Sequence, residues 1–264
     1  MKFSYSSIST FVECPEKFNR MYLQGLRGER DSTMESARGD IVHKLMETLV
    51  QEKLDTGHYP DIADSIEISR DLWAHGFVDE RHGDNPLYQV VWDEEFYYKS
   101  RDDTELLIPK VYDDVFSLFE PATAEQYVSI PILGGEHELH GLMDMVSFSP
   151  NAIIDWKTRK SPANEAWLAT DLQATVYNAL AGFERSTVNF VEFIYPKTQK
   201  PRLHIATTKR DVRHTKWLLD EVIPGMLRAI EYDAMPPTPG WWCFSCPVKC
   251  GAFPDVDQTL FAMP

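Results

Sequence analysis

The chain has 264 residues, of which 43% are hydrophobic, and a formal net charge of −15. This length suits one large domain or a domain with an insertion, and the negative charge argues against a general polyanion binder, because such proteins are usually basic. No apolar run approaches the about 18 to 20 residues that a membrane-spanning helix needs, and the N-terminus lacks the apolar core of a signal peptide. We therefore expect a soluble, cytoplasmic protein.

The first 60 residues predict helices. The segment SSISTFVECPEKFNRMYLQGL places serines before an apolar pattern near helical spacing, so we predict one or two short helices bent at Pro15, with Cys14 at the bend. In the next segment, MESARGDIVHKLMETLVQEKL, apolar residues recur on one helical face. His43 lies beside that face, and Glu47 follows one helical turn later.

Charge is distributed unevenly along the chain. Residues 61–125 are acidic and aromatic, and we interpret them as a helical insertion with a solvated acidic surface. Residues 155–216 carry more basic than acidic side chains. Any surface that binds nucleic acid is therefore expected in this later segment.

From residue 126 the pattern changes to strands. The strand-like segments YVSIPIL, HELHGLMDMVSF and AIIDWKT precede a predicted helix, the strands TVNFVEFIYP and RLHIATT, and a helix over about 209–232. This order predicts an α/β fold with a central mixed β-sheet of about five strands flanked by helices. We expect a single domain over residues 1–264, with a core at 126–235 and a cysteine-containing tail at 236–264.

The segment GLMDMVSFSPNAIIDWKTRK predicts a β-hairpin with the most informative polar residues. Asp144 and Asp155 lie at similar distances from its centre, so we expect them opposite each other, with Lys157 on the same face as Asp155. Two buried carboxylates repel each other unless a positive charge lies between them, and a hard divalent cation such as Mg²⁺ supplies that charge. A protonated lysine is a poor ligand, but it can orient a water molecule and stabilise charge on a phosphate. The alternative is that all three are ordinary surface residues.

Three further polar residues are candidates for the same site. Gln173 and Tyr177 are four residues apart on a predicted helix and share a face. His43 could complete a metal shell through a neutral imidazole, with Glu47 holding its other nitrogen. Packing or solvent exposure explains each of these residues equally well when it is taken alone.

The cysteines are few and clustered. Cys243, Cys246 and Cys250 lie in the tail, and the fourth cysteine is Cys14. In a reducing cytoplasm, thiols more often bind a metal or a cluster than form structural disulfides. The alternative for Cys14 is a small buried apolar residue.

These motifs together resemble those of the PD-(D/E)XK nucleases of the RecB-like branch. They occur in the family's order over most of residues 35–180, as RGDIVH, GLMD, IIDWKT and QATVY. The resemblance implies a restriction-endonuclease-like core and hydrolysis of DNA phosphodiesters with one or two Mg²⁺ or Mn²⁺ ions. The metal ligands that it implies are His43, Asp144, Asp155 and the backbone carbonyl of Trp156. The catalytic residues that it implies are Asp144, Asp155, Lys157, Gln173 and Tyr177.

A subset of the branch, which includes the AddB nuclease domain and the exonucleases of CRISPR adaptation, has one cysteine before the nuclease core and three after it. Cys14 and the tail residues Cys243, Cys246 and Cys250 are similarly placed. The resemblance implies a [4Fe-4S] cluster that links the two ends of the chain. Zinc is the alternative, because four cysteines also suit a tetrahedral zinc site.

The function that the resemblance implies is a metal-dependent DNA exonuclease acting on single-stranded DNA or DNA ends. Its processes would be recombination, repair, phage DNA processing or CRISPR adaptation, with a helicase or integrase as a candidate partner. The alternative is a non-catalytic DNA-end binding or scaffold module that contains iron–sulfur or zinc. Candidates for phosphate contacts are Arg159, Lys160, Lys197, Lys200 and Arg202.

Overall fold

The computed structural model describes residues 1–26, 33–78, 85–243, 246–248 and 250. The strands are β1 (Lys2–Phe3), β2 (Thr123–Ile132), β3 (His137–Phe148), β4 (Asn151–Arg159), β5 (Arg185–Ile194) and β6 (Arg202–Asp211). The α-helices are α1 (Tyr5–Glu13), α2 (Pro15–Phe18), α3 (Met34–Thr56), α4 (Ile62–His75), α5 (Glu94–Val111), α6 (Glu165–Leu168), α7 (Leu172–Ala181), α8 (Val212–Trp217) and α9 (Ile223–Glu231). Within these described ranges, no helix is both long and apolar enough to cross a membrane.

A mixed six-stranded sheet lies at the centre of the fold. Its order is β1-β3-β4-β5-β6, and β2 also pairs with β3. Strands β3 and β4 form an antiparallel hairpin, β4 and β5 are parallel, and β5 and β6 are antiparallel. The parallel pair is connected through α6 and α7, because parallel neighbours need a crossover and cannot be joined by a tight turn. The predicted α/β fold with a central mixed sheet is confirmed.

The chain forms two compact units. The first comprises residues 1–31, 129–141 and 213–264, and the second comprises residues 32–128 and 142–212. The division into N-terminal helices, acidic insertion, core and tail that the sequence suggested stays a prediction.

In the first unit, the chain bends where the sequence predicted. Ser4 caps α1 by accepting a hydrogen bond from the backbone N–H of Ser7, and the helix ends at Glu13. Cys14 is extended, and α2 begins at Pro15, a residue favoured at the first position of a helix because it has no N–H to leave unpaired. The predicted bend at Pro15 is confirmed.

In the second unit, the core is built around α3. Its apolar face is fully buried and packs with α4, α5 and the inner residues of β4 and β5. Burial of each such aliphatic side chain contributes about 1.5 to 3 kcal/mol, so this face fixes the rotation of α3 about its axis. The buried residues of that face are Ile41, Val42, Leu45, Met46, Leu49 and Val50.

The close approach of α3 to the sheet depends on one glycine. A Cβ at Gly39 would lie 3.2 Å from the hydroxyl oxygen of Thr158 on β4. The absence of a side chain therefore lets α3 approach β4, and His43 lies one turn further along the helix.

The sequence predicted one helix between β4 and β5, over the segment PANEAWLATDLQATVYNALAGF, but the structure differs. The segment forms two helices, α6 and α7, because Asn164 and Asp171 each cap a helix start with a side-chain oxygen. Asp171 accepts from the N–H of Ala174 at 2.8 Å, which starts α7 one residue before Gln173.

Candidate active site

The β3–β4 hairpin brings Asp144 and Asp155 together as predicted. The register pairs Met145 with Ile154, and the two aspartates are the residues that adjoin this pair on the two strands. Both side chains are buried, with 6% and 1% of their residue surface exposed. Asp144 Oδ2 accepts a 2.7 Å hydrogen bond from the backbone N–H of Trp156, which fixes this carboxylate against β4.

Asp155 is held by three side chains that the sequence placed in the same site. Lys157 Nζ lies 2.6 Å from Asp155 Oδ2 as an ion pair. Gln173 Nε2 and the Tyr177 hydroxyl both donate to Asp155 Oδ1 at 3.0 Å, and Gln173 Nε2 also donates to the Tyr177 oxygen at 2.7 Å. Burial, together with the charge of Asp155, raises the pKa of Tyr177, so its phenol stays protonated and acts as a donor.

The start of α7 is anchored by a buried arginine from β6. Arg210 donates from Nη2 to the carbonyls of Leu168 at 2.9 Å and Asp171 at 2.8 Å. It also donates from Nε to the hydroxyl of Thr175 at 3.0 Å. Because these acceptors lie in the α6–α7 connection and the first turn of α7, Arg210 fixes the position from which the α7 side chains reach Asp155.

His43 faces two carboxylates. Its Nδ1 lies 3.4 Å from Asp144 Oδ2 and 3.9 Å from Glu125 Oε1. The expected role of Glu47 is wrong: its Oε1 lies 3.0 Å from Lys44 Nζ, because Lys44 is its neighbour three residues away on the helix surface.

Glu125 was not identified from the sequence. It lies on β2, within the range assigned to the acidic insertion, and its backbone has a φ of +43°, a conformation that non-glycine residues rarely adopt. The signal available beforehand was only an acidic residue just before a strand pattern. Its meeting with His43, 82 positions earlier in the sequence, depends on tertiary structure.

The carboxylates and the imidazole shift one another's proton affinity. Burial alone lowers the pKa of His43, but the charge of Asp144 and the contact with Glu125 outweigh it and raise that pKa from 6.5 to about 9. Burial raises the pKa of Asp144 from 3.8 to about 7, with His43 acting against it and Asp155 and Glu125 adding to it. Both pKa shifts are typical of a site in which acidic groups surround a positive charge.

The donor set fits a divalent cation. One ligand atom each from His43, Glu125 and Asp144 lies within 4.8 Å of the other two, and in the described part of the chain no other group of three or more His, Cys, Asp or Glu side chains does so. Carboxylate oxygens suit Mg²⁺ and Mn²⁺, and an imidazole nitrogen is a good ligand of transition metals. The three residues line a cleft of about 260 Å³ together with Asp155, Lys157, Gln173 and Tyr177. The indole of Trp156 is buried, and the role of its carbonyl as a ligand stays a prediction.

The predicted phosphate-contact residues lie in different surroundings. Arg159 Nε is 2.6 Å from Oε1 of the fully buried Glu192, and Lys160 Nζ is 3.0 Å from Glu35 Oε1. The other three, which are exposed, are Lys197, Lys200 and Arg202. Their contact with DNA stays a prediction.

In the first unit, Cys14 and Cys250 each have one hydrogen-bond partner from the other end of the chain. The buried Cys14 accepts a 3.4 Å hydrogen bond at Sγ from the N–H of Thr238, and Arg20 donates to the carbonyl of Cys250 at 3.4 Å. All four cysteines are free thiols. Thr238 and Cys250 therefore each contact the N-terminal segment that contains Cys14.

The fold and the cleft define a class of protein, an α/β nuclease core in which one hairpin supplies an aspartate and a D-x-K motif. A model of the PD-(D/E)XK nuclease superfamily matches residues 2–250. This match covers nearly the whole chain, so the chain belongs to the PD-(D/E)XK nuclease superfamily.

Solved structures similar to the chain share little sequence with it. A presumed exonuclease from Eubacterium rectale is 14% identical, with a TM-score of 0.47, and the match covers 92% of this chain and 86% of that one. The protein SSO0001 is 12% identical, with a TM-score of 0.38 and coverage of 98% and 86%. No curated protein sequence matches the chain. The superfamily assignment therefore rests on the family model.

Proposed function

We propose that the protein is a metal-dependent DNA exonuclease of the RecB-like branch that hydrolyses phosphodiester bonds. The observation that carries the proposal is the convergence of Asp144, Asp155 and Lys157 in one cleft beside His43. Superfamily membership supports hydrolysis of a nucleic acid, and the resemblance of the motifs to the RecB-like branch favours DNA.

A bound Mg²⁺ or Mn²⁺ ion supplies Lewis acidity at the phosphate and lowers the pKa of a ligated water. The residues proposed to hold it are His43, Asp144, Asp155 and the carbonyl of Trp156. The acidic residues are buried and the His43 imidazole faces them, so the free energy gained by neutralising this cluster favours retention of a cation.

Lys157 is proposed to position the attacking water and to stabilise charge that develops on the phosphate. Its ammonium group remains at the Asp155 carboxylate, 2.6 Å from Oδ2. Gln173 and Tyr177 hold the other oxygen of that carboxylate, so Asp155 presents Oδ2 to the lysine. Tyr177 acts as a donor rather than a base, because its raised pKa keeps the proton on the phenol.

The substrate is proposed to be single-stranded DNA or DNA with a free end. The basic residues Arg159, Lys160, Lys197, Lys200 and Arg202 are the candidates for contacts with the phosphate backbone. Recombination, repair, phage DNA processing and CRISPR adaptation are the processes in which such an exonuclease would act, with a helicase or an integrase as partner.

Cys14, Cys243, Cys246 and Cys250 are proposed to hold a [4Fe-4S] cluster in the first unit. The contacts of Thr238 with Cys14 and of Arg20 with Cys250 support this, because they connect the head and the tail of the chain. Four free thiols also suit zinc, and metal analysis of protein purified without oxygen separates the two.

The test is an exonuclease assay with Mn²⁺ and single strands labelled at the 5′ or the 3′ end. The wild-type protein should release nucleotides, and Asp155→Asn and Lys157→Met should lower kcat by at least about a hundredfold. Lys110→Met is the matched control, because Lys110 is an exposed lysine on α5. Equal activity in Lys157→Met and Lys110→Met would refute the assignment. DNA-end binding by a wild-type protein that never cleaves would favour the scaffold alternative.

A further inference from the structure

Glu125 lines the proposed metal site but plays no part in the motif-based mechanism. Its side chain is 12% exposed, and its Oε1 lies 3.9 Å from His43 Nδ1. It lines the same cleft as Asp144 and Asp155. We propose that Glu125 is a protein ligand of the divalent ion, shared with His43 and Asp144. The inference rests on the proposed function, since it extends the ligand set of that site.

The ligand geometry places Glu125 in one group with His43 and Asp144. Ligand atoms of Glu125, His43 and Asp144 all lie within 4.8 Å of one another, so one ion between them can contact all three. Asp155 is engaged differently, with Oδ1 accepting from Gln173 and Tyr177 and Oδ2 paired with Lys157. Glu125 therefore adds a carboxylate at the ion to those of Asp144 and Asp155.

The charge of the group also favours this assignment. Each carboxylate at the ion offsets part of its double positive charge, so the Glu125 carboxylate strengthens the attraction that Asp144 and Asp155 already provide. Hard divalent cations bind more tightly as the number of charged oxygen ligands increases. Removal of the Glu125 carboxylate should therefore weaken the site far more than removal of the Glu47 carboxylate, which lines the cleft but pairs with Lys44.

The test measures Mn²⁺ binding itself. Protein stripped with EDTA and dialysed is titrated with Mn²⁺ by calorimetry, and free Mn²⁺ is followed by its electron paramagnetic resonance signal. Glu125→Gln, which keeps the size of the side chain, should raise the Kd for Mn²⁺ at least about tenfold. It should also abolish most of the increase in melting temperature that Mn²⁺ gives the wild type.

Glu47→Gln is the matched control, because Glu47 lines the same cleft but pairs with Lys44. It should change the Kd for Mn²⁺ by less than about threefold, as expected for a general change in charge. Glu125→Gly is the second variant. A glycine adopts a φ of +43° without strain, so this variant should fold at least as well as wild type and still lose Mn²⁺ affinity.

The outcomes separate this inference from the proposed function. Equal Kd values for Glu125→Gln and Glu47→Gln, or a wild type that binds no Mn²⁺, would overturn the role of Glu125. If the wild type cleaves DNA and Glu125→Gln binds Mn²⁺ normally, the nuclease function stands and the role of Glu125 as a ligand is refuted. If the wild type binds Mn²⁺ through Glu125 but never cleaves DNA, the nuclease function is refuted and the role of Glu125 as a ligand stands.

Discussion

Lys157 and Asp155 form an ion pair whose two members are unequally buried, and their replacement should have unequal effects on stability. The side chain of Asp155 is 1% exposed, whereas that of Lys157 is 26% exposed. In Lys157→Met, the Asp155 carboxylate loses its cation and cannot reach water. In Asp155→Asn, the lysine loses its partner, but its flexible stem can carry the ammonium to solvent.

The magnitudes follow from that difference. Breaking a buried pair so that one charge stays buried without a counter-charge costs about 3 kcal/mol or more. For a protein of this size that corresponds to a fall in melting temperature on the order of 6 to 12 °C. Asp155→Asn keeps an oxygen that can accept from Gln173 and Tyr177, so its cost should be about 1 kcal/mol, the value of one net hydrogen bond.

The assay is thermal and urea unfolding of both variants in EDTA, followed by circular dichroism. EDTA is essential, because a divalent ion in the cleft would neutralise Asp155 and hide the effect. Lys110→Met gives the baseline for the loss of an exposed charge and should fall within about 0.5 kcal/mol of wild type. If Asp155→Asn proves less stable than Lys157→Met, the argument from unequal burial is refuted.

Three further predictions concern other parts of the chain. In EDTA, the melting temperature should fall as the pH rises from 6.5 to about 9, because the folded protein holds the protons of His43 and Asp144 above their ordinary pKa values; a melting temperature that stays constant over this range would contradict these shifts. Arg210→Met should cost about 3 kcal/mol and lower kcat without changing the Kd for Mn²⁺, because it removes the charged hydrogen bonds that Arg210 donates to the carbonyls of Leu168 and Asp171; unchanged kcat would contradict its positioning role. Cys14→Ser, purified without oxygen, should lose iron and the absorption near ~400 nm as fully as a tail cysteine variant; retention of the cluster would exclude Cys14 as a ligand.

Much of the fold and of the hairpin site could be predicted because the determining patterns are local. Alternation along β3 and β4 sets the faces of Asp144, Asp155 and Lys157, and the turn between the strands sets their register. On α7, the spacing of four residues places Gln173 and Tyr177 on one face of the helix. Residues that are close in sequence or lie on one regular element have relative positions that do not depend on the tertiary structure of the rest of the chain.

Errors arose where a residue's partner is set by tertiary structure. Glu47 was expected to contact His43 because it follows one turn later on the same helix. It forms an ion pair with Lys44 instead, which is three residues away. The second partner of His43 is Glu125, which comes from a different element and reaches the site through a backbone conformation that its residue type disfavours. No helical or strand period could indicate that conformation.

This contrast bears on how the site works. Four of the residues that sequence patterns reveal, Asp155, Lys157, Gln173 and Tyr177, contact one another on β4 and α7. Those around the proposed ion, His43, Glu125 and Asp144, come from three separate elements. Metal affinity should therefore depend on the packing of α3 and β2 against the hairpin, whereas the placement of the lysine should not. A mutation that loosens α3, such as Gly39→Ala against Thr158, should accordingly weaken Mn²⁺ binding before it disturbs the Lys157–Asp155 pair.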